Sequence, residues 1–201
     1  KTAYDNKAFD QLEGQIGTLK IFLSRLATKE SFWVFSGDEV ELKITDRENP
    51  SIIILASDPG TQDINSALYS AVLNRTLRLI NSKHNLPGGI IADEFPTIYI
   101  HKIDNVVATA RSNRVAVLLG LQEIPQLRQF YKKEVADTIS AIVGNILSGS
   151  ARDKNTLDWL EKLFGKIKQK SFSQSISQQG TTTSINEKMD FMIPAGKIAA
   201  L

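Results

Sequence analysis

The chain has 201 residues, 42% of them apolar, enough to bury the core of one sizeable α/β domain with an appendage. Lys and Arg number 24 against 22 Asp and Glu, so a net charge of +2 gives no chain-wide attraction to polyanions, and any nucleic-acid contact has to be a local patch. The absence of cysteine excludes disulfides, thiolate metal sites and cysteine nucleophiles; His84 and His101 lack metal-ligand spacing, and no apolar run approaches the roughly 20 residues that span a bilayer.

The chain begins at Lys1, ends on Ala199-Ala200-Leu201, and reads as a piece of something longer. Phe9, Leu12, Ile16, Leu19, Leu23 and Leu26 follow helical spacing and predict an amphipathic helix packed on the domain or on a neighbouring helical domain. A self-associating coiled coil is the alternative, but the stripe is short for one. Phe32 to Phe35 is a candidate aromatic strand, and Gly37 to Asn49 fits either a strand or a short helix. Ile52 to Ala56 is apolar and β-branched, which predicts a buried strand closed by Ser57-Asp58-Pro59-Gly60. Ile64, Leu68, Val72 and Leu79 mark a long helix to about Ser82, which Asn85-Leu86-Pro87-Gly88-Gly89 ends.

Next come the strand Ile90-Ile91-Ala92, a helix carrying Ile103, Val106, Val107 and Ala110, and the strand Val115 to Leu121. Helical stretches follow at Pro125 to Tyr131 and Val135 to Val143, then a short strand near Asn145 to Leu147. A helix spans about Asp153 to Phe164, with Asp153 as N-cap and Gly165 just past its end. Strands alternating with helices predict a parallel sheet covered on both faces, with ligands at the carboxyl ends of its strands. From Gly165 to Asn186 the chain turns basic and polar: an edge strand over Lys168 to Ser177, then a flexible loop near Gln178 to Ser184. Met189 to Leu201 is apolar again, with Pro194 as a first helical residue. The division expected is a helical segment over 1–30, a core over 31–164 and a basic strand-loop with a C-terminal helix over 165–201.

The chemistry concentrates where Gly89-Ile-Ile-Ala-Asp93-Glu94-Phe95 ends an apolar strand in two adjacent carboxylates. In nucleotide hydrolysis one such acid can hold the hydration shell of Mg²⁺, here Asp93, and its neighbour can polarise the attacking water, here Glu94. Alternatively the pair simply begins a loop. Gln122 ends the next strand, where an amide could sense a γ-phosphate and hydrogen-bond a carboxylate; solvated, it would only start the following helix. The coincidence of acids and amide on successive strands favours the first reading. Arg111 and Arg114 close a helix, where cations complement its dipole; they suit surface ion pairs or, more sharply, an arginine finger across a subunit interface, worth about 10³ to 10⁵ in rate. No G-x-x-x-x-G-K-[ST] phosphate loop occurs. Pro194-Ala195-Gly196-Lys197-Ile198 lacks the first glycine and the hydroxyl, and acids Asp58 and Asp63 oppose anion binding at Ser57 to Gly60.

The stretch IIADEFPTIYIHKIDNVVATARSNRVAVLLGLQEIPQLRQFY, continued by NILSGSARDKNTLDWLEKLFG, resembles the TraG/TraD-like coupling proteins of type IV secretion, hexameric DNA-pumping ATPases of the FtsK/HerA group. The resemblance covers roughly Ile52 to Leu201 and looks most like the variants of Bacteroides-type conjugative elements. It implies a RecA-like motor domain, ATP and Mg²⁺ as cofactors, and single-stranded DNA with its relaxase and the secretion apparatus as partners. It also implies a homo-hexamer anchored at the inner membrane. Asp93 and Glu94 fall on the Walker B acids, Gln122 on the sensor glutamine and Arg111 on the finger. The Walker A loop and the membrane helices are not in this sequence, so the parent is expected to be the ATPase and this stretch alone inactive. The helix over Phe9 to Leu26 would belong to a helical domain inserted between the two Walker motifs. A non-catalytic interaction module working through Lys166 to Asn186 is the alternative. A third reading, a DNA platform built on Arg128, Lys132, Lys133 and the lysines from 166 to 170, sits poorly with near-neutral charge.

Overall fold

The computed structural model describes residues 2–5, 8–56, 58, 60–177 and 180–201. The chain divides into two compact units, Lys1–Ala92 with Thr97–Leu118, and Asp93–Pro96 with Leu119–Leu201. The first holds helices α1 (Thr2–Asp5), α2 (Phe9–Leu26), α3 (Lys29–Phe35), α4 (Gln62–Ile80) and α5 (Ile103–Ala110), with strands β1 (Gly88–Ala92) and β2 (Val115–Leu119), the last residue of which passes into the second unit. β1 and β2 are hydrogen-bonded neighbours. The Gly88 amide at the start of β1 donates to the Arg114 carbonyl just before β2, so the two starts lie together and the strands run parallel, joined by α5. Along both strands burial alternates. Ile90, Val115 and Val117 face a core completed by Ile80 of α4, Ala110 of α5 and Ile44, while Ile91 and Leu118 stay exposed on the opposite face. Within this unit the described helices α4 and α5 pack on one face of the sheet.

Three expectations change in this unit. Phe32 to Phe35 is the end of helix α3, because the Thr28 hydroxyl accepts the Ser31 amide at 3.1 Å and caps the first turn, outweighing the β preference of four aromatic and β-branched side chains. Between Gly37 and Asn49 the chain forms turns, held by Asp46 N–H to the Lys43 carbonyl. Ile52 to Ala56 pairs with no described strand, and Ile52 and Ile54 are 87% and 85% exposed; an apolar run buries itself as a strand only when a partner supplies the ladder. Ser57 and Pro59 lie outside the described residues. The stripe of α2 is also mostly exposed at Phe9, Ile16, Leu19 and Leu23.

The second unit holds α6 (Ile124–Ile142), α7 (Lys154–Phe164), β3 (Lys166–Ser177), β4 (Gly180–Phe191) and α8 (Ala195–Ala199). α6 breaks at Lys132, whose φ of 61° and ψ of 158° are non-helical, close to the predicted gap between two helical stretches. α7 starts and stops as its sequence dictates: Asp153 Oδ1 accepts the Asn155 and Thr156 amides, and Gly165 follows at φ 74°. Its inward face builds a core of Leu160, Ala151 and Ile198, flanked by Trp159, Leu157 and Ile193. No strand forms at Asn145 to Leu147; Leu147 is exposed in an irregular segment. β3 and β4 make an antiparallel ribbon in register from Lys166 opposite Phe191 to Ser177 opposite Gly180. Residues 180–184, expected as loop, are strand, since Thr181 to Thr183 carry β propensity that a polar composition hides; Gln178 and Gln179 lie outside the described residues. Pro194 is the residue before α8 rather than its first.

Candidate active site

Asp93, Glu94 and Gln122 all belong to the second unit. Asp93 directly follows β1, is exposed, and bends its carboxylate back so that Oδ1 accepts the Glu94 amide at 3.0 Å. Glu94 sits at φ 47°, the left-handed region that costs a residue with a side chain free energy unless its surroundings hold it there. Three contacts do so. The amide of Phe95 donates to the Gly120 carbonyl at 2.8 Å. The buried Phe95 ring stacks on buried Tyr131 of α6, centroids 4.8 Å apart and planes at 21°. The Gln122 amide Nε2 donates to Glu94 Oε1 at 3.3 Å. The chain leaving β2 thus closes over the chain leaving β1 within this unit, and an acid and an amide end up on each other at the surface.

Arg111 belongs to the other unit, on an exposed 3₁₀ turn over Arg111–Asn113, and among the described residues its guanidinium makes no hydrogen bond or ion pair. Arg114 is otherwise engaged: it takes the left-handed position at φ 60°, and its guanidinium donates to the Asn85 carbonyl. There it ties the end of β2's approach to the loop after α4, a local fastening that the helix-dipole reading did not anticipate.

One residue that sequence reasoning passed over is Glu123. It precedes α6 in extended conformation, yet its side chain caps no amide of that helix. Instead Oε1 accepts the backbone amides of Arg152 and Asp153 at 3.1 and 3.2 Å, at the entrance to α7. Its other oxygen is buried without a hydrogen-bond partner of good geometry among the described residues. The Thr156 hydroxyl is nonetheless the strongest influence holding this carboxyl below the usual carboxylate range, followed by the two amides, with burial opposing them. The available signal was the D-x-x-T spacing of Asp153 and Thr156, which reads as a helix start without saying who else uses it.

Residues 87–201 match the family model described as the TraM recognition site of TraD and TraG. The chain belongs to this family of TraG/TraD-like coupling proteins. No curated protein matches the sequence. Among solved structures, this family member is similar to the plasmid coupling protein TrwB in complex with the non-hydrolysable ATP analogue ADPNP, with a TM-score of 0.64 and 18% identity over 82% of this chain and 38% of that one. TrwB in complex with ADP and Mg²⁺ gives 0.60 and 17% over 82% and 38%. The unbound monoclinic form of the conjugative coupling protein TrwBdeltaN70 gives 0.57 and 16% over 72% and 34%. The fold is thus that of the matched part of TrwB, helices and strands with a parallel sheet. The chain spans little more than a third of the length of those structures, 34 to 38%.

Proposed function

We propose that this chain is the carboxyl-side part of the motor domain of a conjugative coupling ATPase, which drives single-stranded DNA with its relaxase through a type IV secretion channel. The observation that carries the proposal is the 3.3 Å contact of Gln122 with Glu94, made by residues that follow two neighbouring parallel strands. Membership of the TraG/TraD family and likeness to nucleotide-bound TrwB support it.

ATP and Mg²⁺ are the cofactors of the full-length protein in this proposal. The donor set suits the ion. Asp93 and Glu94 are two adjacent exposed carboxylates, hard oxygen donors of the kind that hold Mg²⁺ together with water and phosphate. When bound, the ion neutralises charge on the phosphate oxygens. Asp93 would hold it through the water shell. Glu94 takes the proton of the attacking water, and the Gln122 amide fixes the rotamer of that carboxylate while testing for a γ-phosphoryl group. Arg111 supplies a guanidinium to the site of a neighbouring copy in a hexamer. No phosphate loop lies within these 201 residues, so this stretch alone is expected to be inactive.

Residues 1–30 belong, in this proposal, to an inserted helical domain, and an anchor outside the present sequence holds the parent at the inner membrane; among the described residues no helix is long and apolar enough to cross one. Residues 87–201 engage the relaxosome through a TraM-like protein, as the family's description suggests. That description also favours a second reading, a non-catalytic interaction module. Glu94→Gln in the full-length protein separates the two: ATP binding is retained and hydrolysis falls by about 10² or more, the worth of a general base. Undiminished turnover refutes the motor role of this site.

A further inference from the structure

We propose that Glu123 is a positioning residue for the Glu94–Gln122 pair, a latch that sets the sensor amide by fastening its loop to the entrance of α7. The inference rests on the motor reading of Glu94 and Gln122. Gln122 is exposed, and its contact with Glu94, at 3.3 Å, lies at the long end of hydrogen-bond distances. Packing does not hold such a side chain in place, so its reach to Glu94 depends on where the backbone at 122 and 123 is fixed.

The fastening is reciprocal. Glu123 sends its carboxylate to the Arg152 and Asp153 amides, 29 and 30 residues away. Ile124, the first residue of α6, sends its amide to the buried Thr156 hydroxyl at 3.0 Å in the first turn of α7. Asp153 then fixes Thr156 by accepting its amide at 3.0 Å. The two residues after Gln122 are thereby pinned by α7's first turn, and the residues entering α7 are pinned by the one next to Gln122. A glutamate here could have capped α6 locally at no burial cost. Placing it across the unit instead spends the half-buried carboxylate on the entrance to α7 and leaves the first amides of α6 without a cap from it. What the arrangement secures is a fixed position for residue 122.

The test uses the full-length protein. In Glu123→Ala, kcat for ATP hydrolysis falls on the order of 10² while KM for ATP stays within about twofold, as expected when a reacting group is displaced by about an ångström. Glu123→Gln keeps an acceptor oxygen and recovers most of the loss. On a Gln122→Ala background, Glu123→Ala adds no further loss, because the effect passes through the missing amide. Hydrogen exchange supplies a readout independent of turnover: the amides of Ile124, Arg152 and Asp153 exchange at least about tenfold faster in Glu123→Ala, since each loses or loosens an acceptor. Unchanged exchange overturns the latch, and so does faster exchange with wild-type kcat or an additive loss in the double variant. If Gln122→Ala and Glu94→Gln lower turnover and Glu123→Ala does not, the latch alone fails. If Gln122→Ala itself hydrolyses ATP normally, the motor reading of the pair fails with it.

Discussion

Replacing Phe95 by leucine removes the ring that lies on Tyr131 while keeping an apolar side chain in the same place and the Phe95 amide on the Gly120 carbonyl. Both rings are buried, 2% and 3% exposed, with centroids at 4.8 Å and planes at 21°, so the pair has the geometry in which aromatic contacts exceed their area burial by about 0.5–1.5 kcal/mol. Adding imperfect filling by the smaller side chain, Phe95→Leu should cost about 1–2 kcal/mol, against about 3–5 for Phe95→Ala. The double-mutant cycle with Tyr131→Leu isolates the stack, because whatever else Tyr131 touches cancels between its two legs; the coupling expected is about 0.5–1.5 kcal/mol. Two tryptophans make the assay selective. Trp159 packs on the core of the second unit and Trp33 is exposed on α3, so urea unfolding followed by fluorescence in a Trp33→Phe background reports the second unit. A coupling energy indistinguishable from zero would refute the claim that this stack holds the turn carrying Glu94.

Lys132 occupies a backbone region that only glycine adopts without strain, at a cost of about 1–3 kcal/mol. Lys132→Gly relieves that strain and gives back part of it as unfolded-chain entropy, so the Trp159 urea midpoint should rise by the equivalent of about 1 kcal/mol; a fall of that size would mean α6 runs through unbroken. The depressed pKa of Glu123 makes a pH prediction with a definite sign. Because the folded state holds the carboxylate below its ordinary pKa, its contribution is fully present above that ordinary value and is lost as pH falls through the lower folded value. Denaturant midpoints of wild type and Glu123→Gln should therefore converge as pH drops through that window, and parallel curves would show that the carboxylate is not held there.

What was legible in the sequence was whatever a segment decides by itself. α2 and α7 appear at the bounds their spacing and caps announce, Asp153 and Gly165 included, and β1 and β2 follow from short apolar runs flanked by turn residues. Missing was whatever depends on a partner. Ile52 to Ala56 has the composition of a central strand but no neighbour to pair with among the described residues, and the Thr-rich start of β4 looks like linker until β3 lies beside it. The juxtaposition of Glu94 with Gln122 was inferable, since successive parallel strands joined by a crossover place their ends together. Glu123 was not, because its acceptor role is defined by amides 29 and 30 residues on, and backbone amides leave no trace in a sequence.

The backbone at Glu94 bears on the choice between a motor and a binding module. A surface acid has many routes to solvent at no conformational cost, so exposure alone gives residue 94 no reason to take a left-handed φ. Here it stands at 47°, with Asp93 accepting its amide, Phe95 buried and stacked behind it, and Gln122 on its carboxylate. A left-handed residue of this kind persists only where the surroundings over-determine it, and such over-determination gathers at sites where a group must be presented in one orientation before the ligand arrives. Presenting a carboxylate in a fixed rotamer is of little use to a docking surface, which gains from area and shape. It is of direct use to a base that has to meet a single water in line with a phosphorus atom. In the proposed motor, the left-handed backbone at Glu94 and the reach of half-buried Glu123 to α7 serve one requirement, the fixed position of an acid and an amide relative to each other.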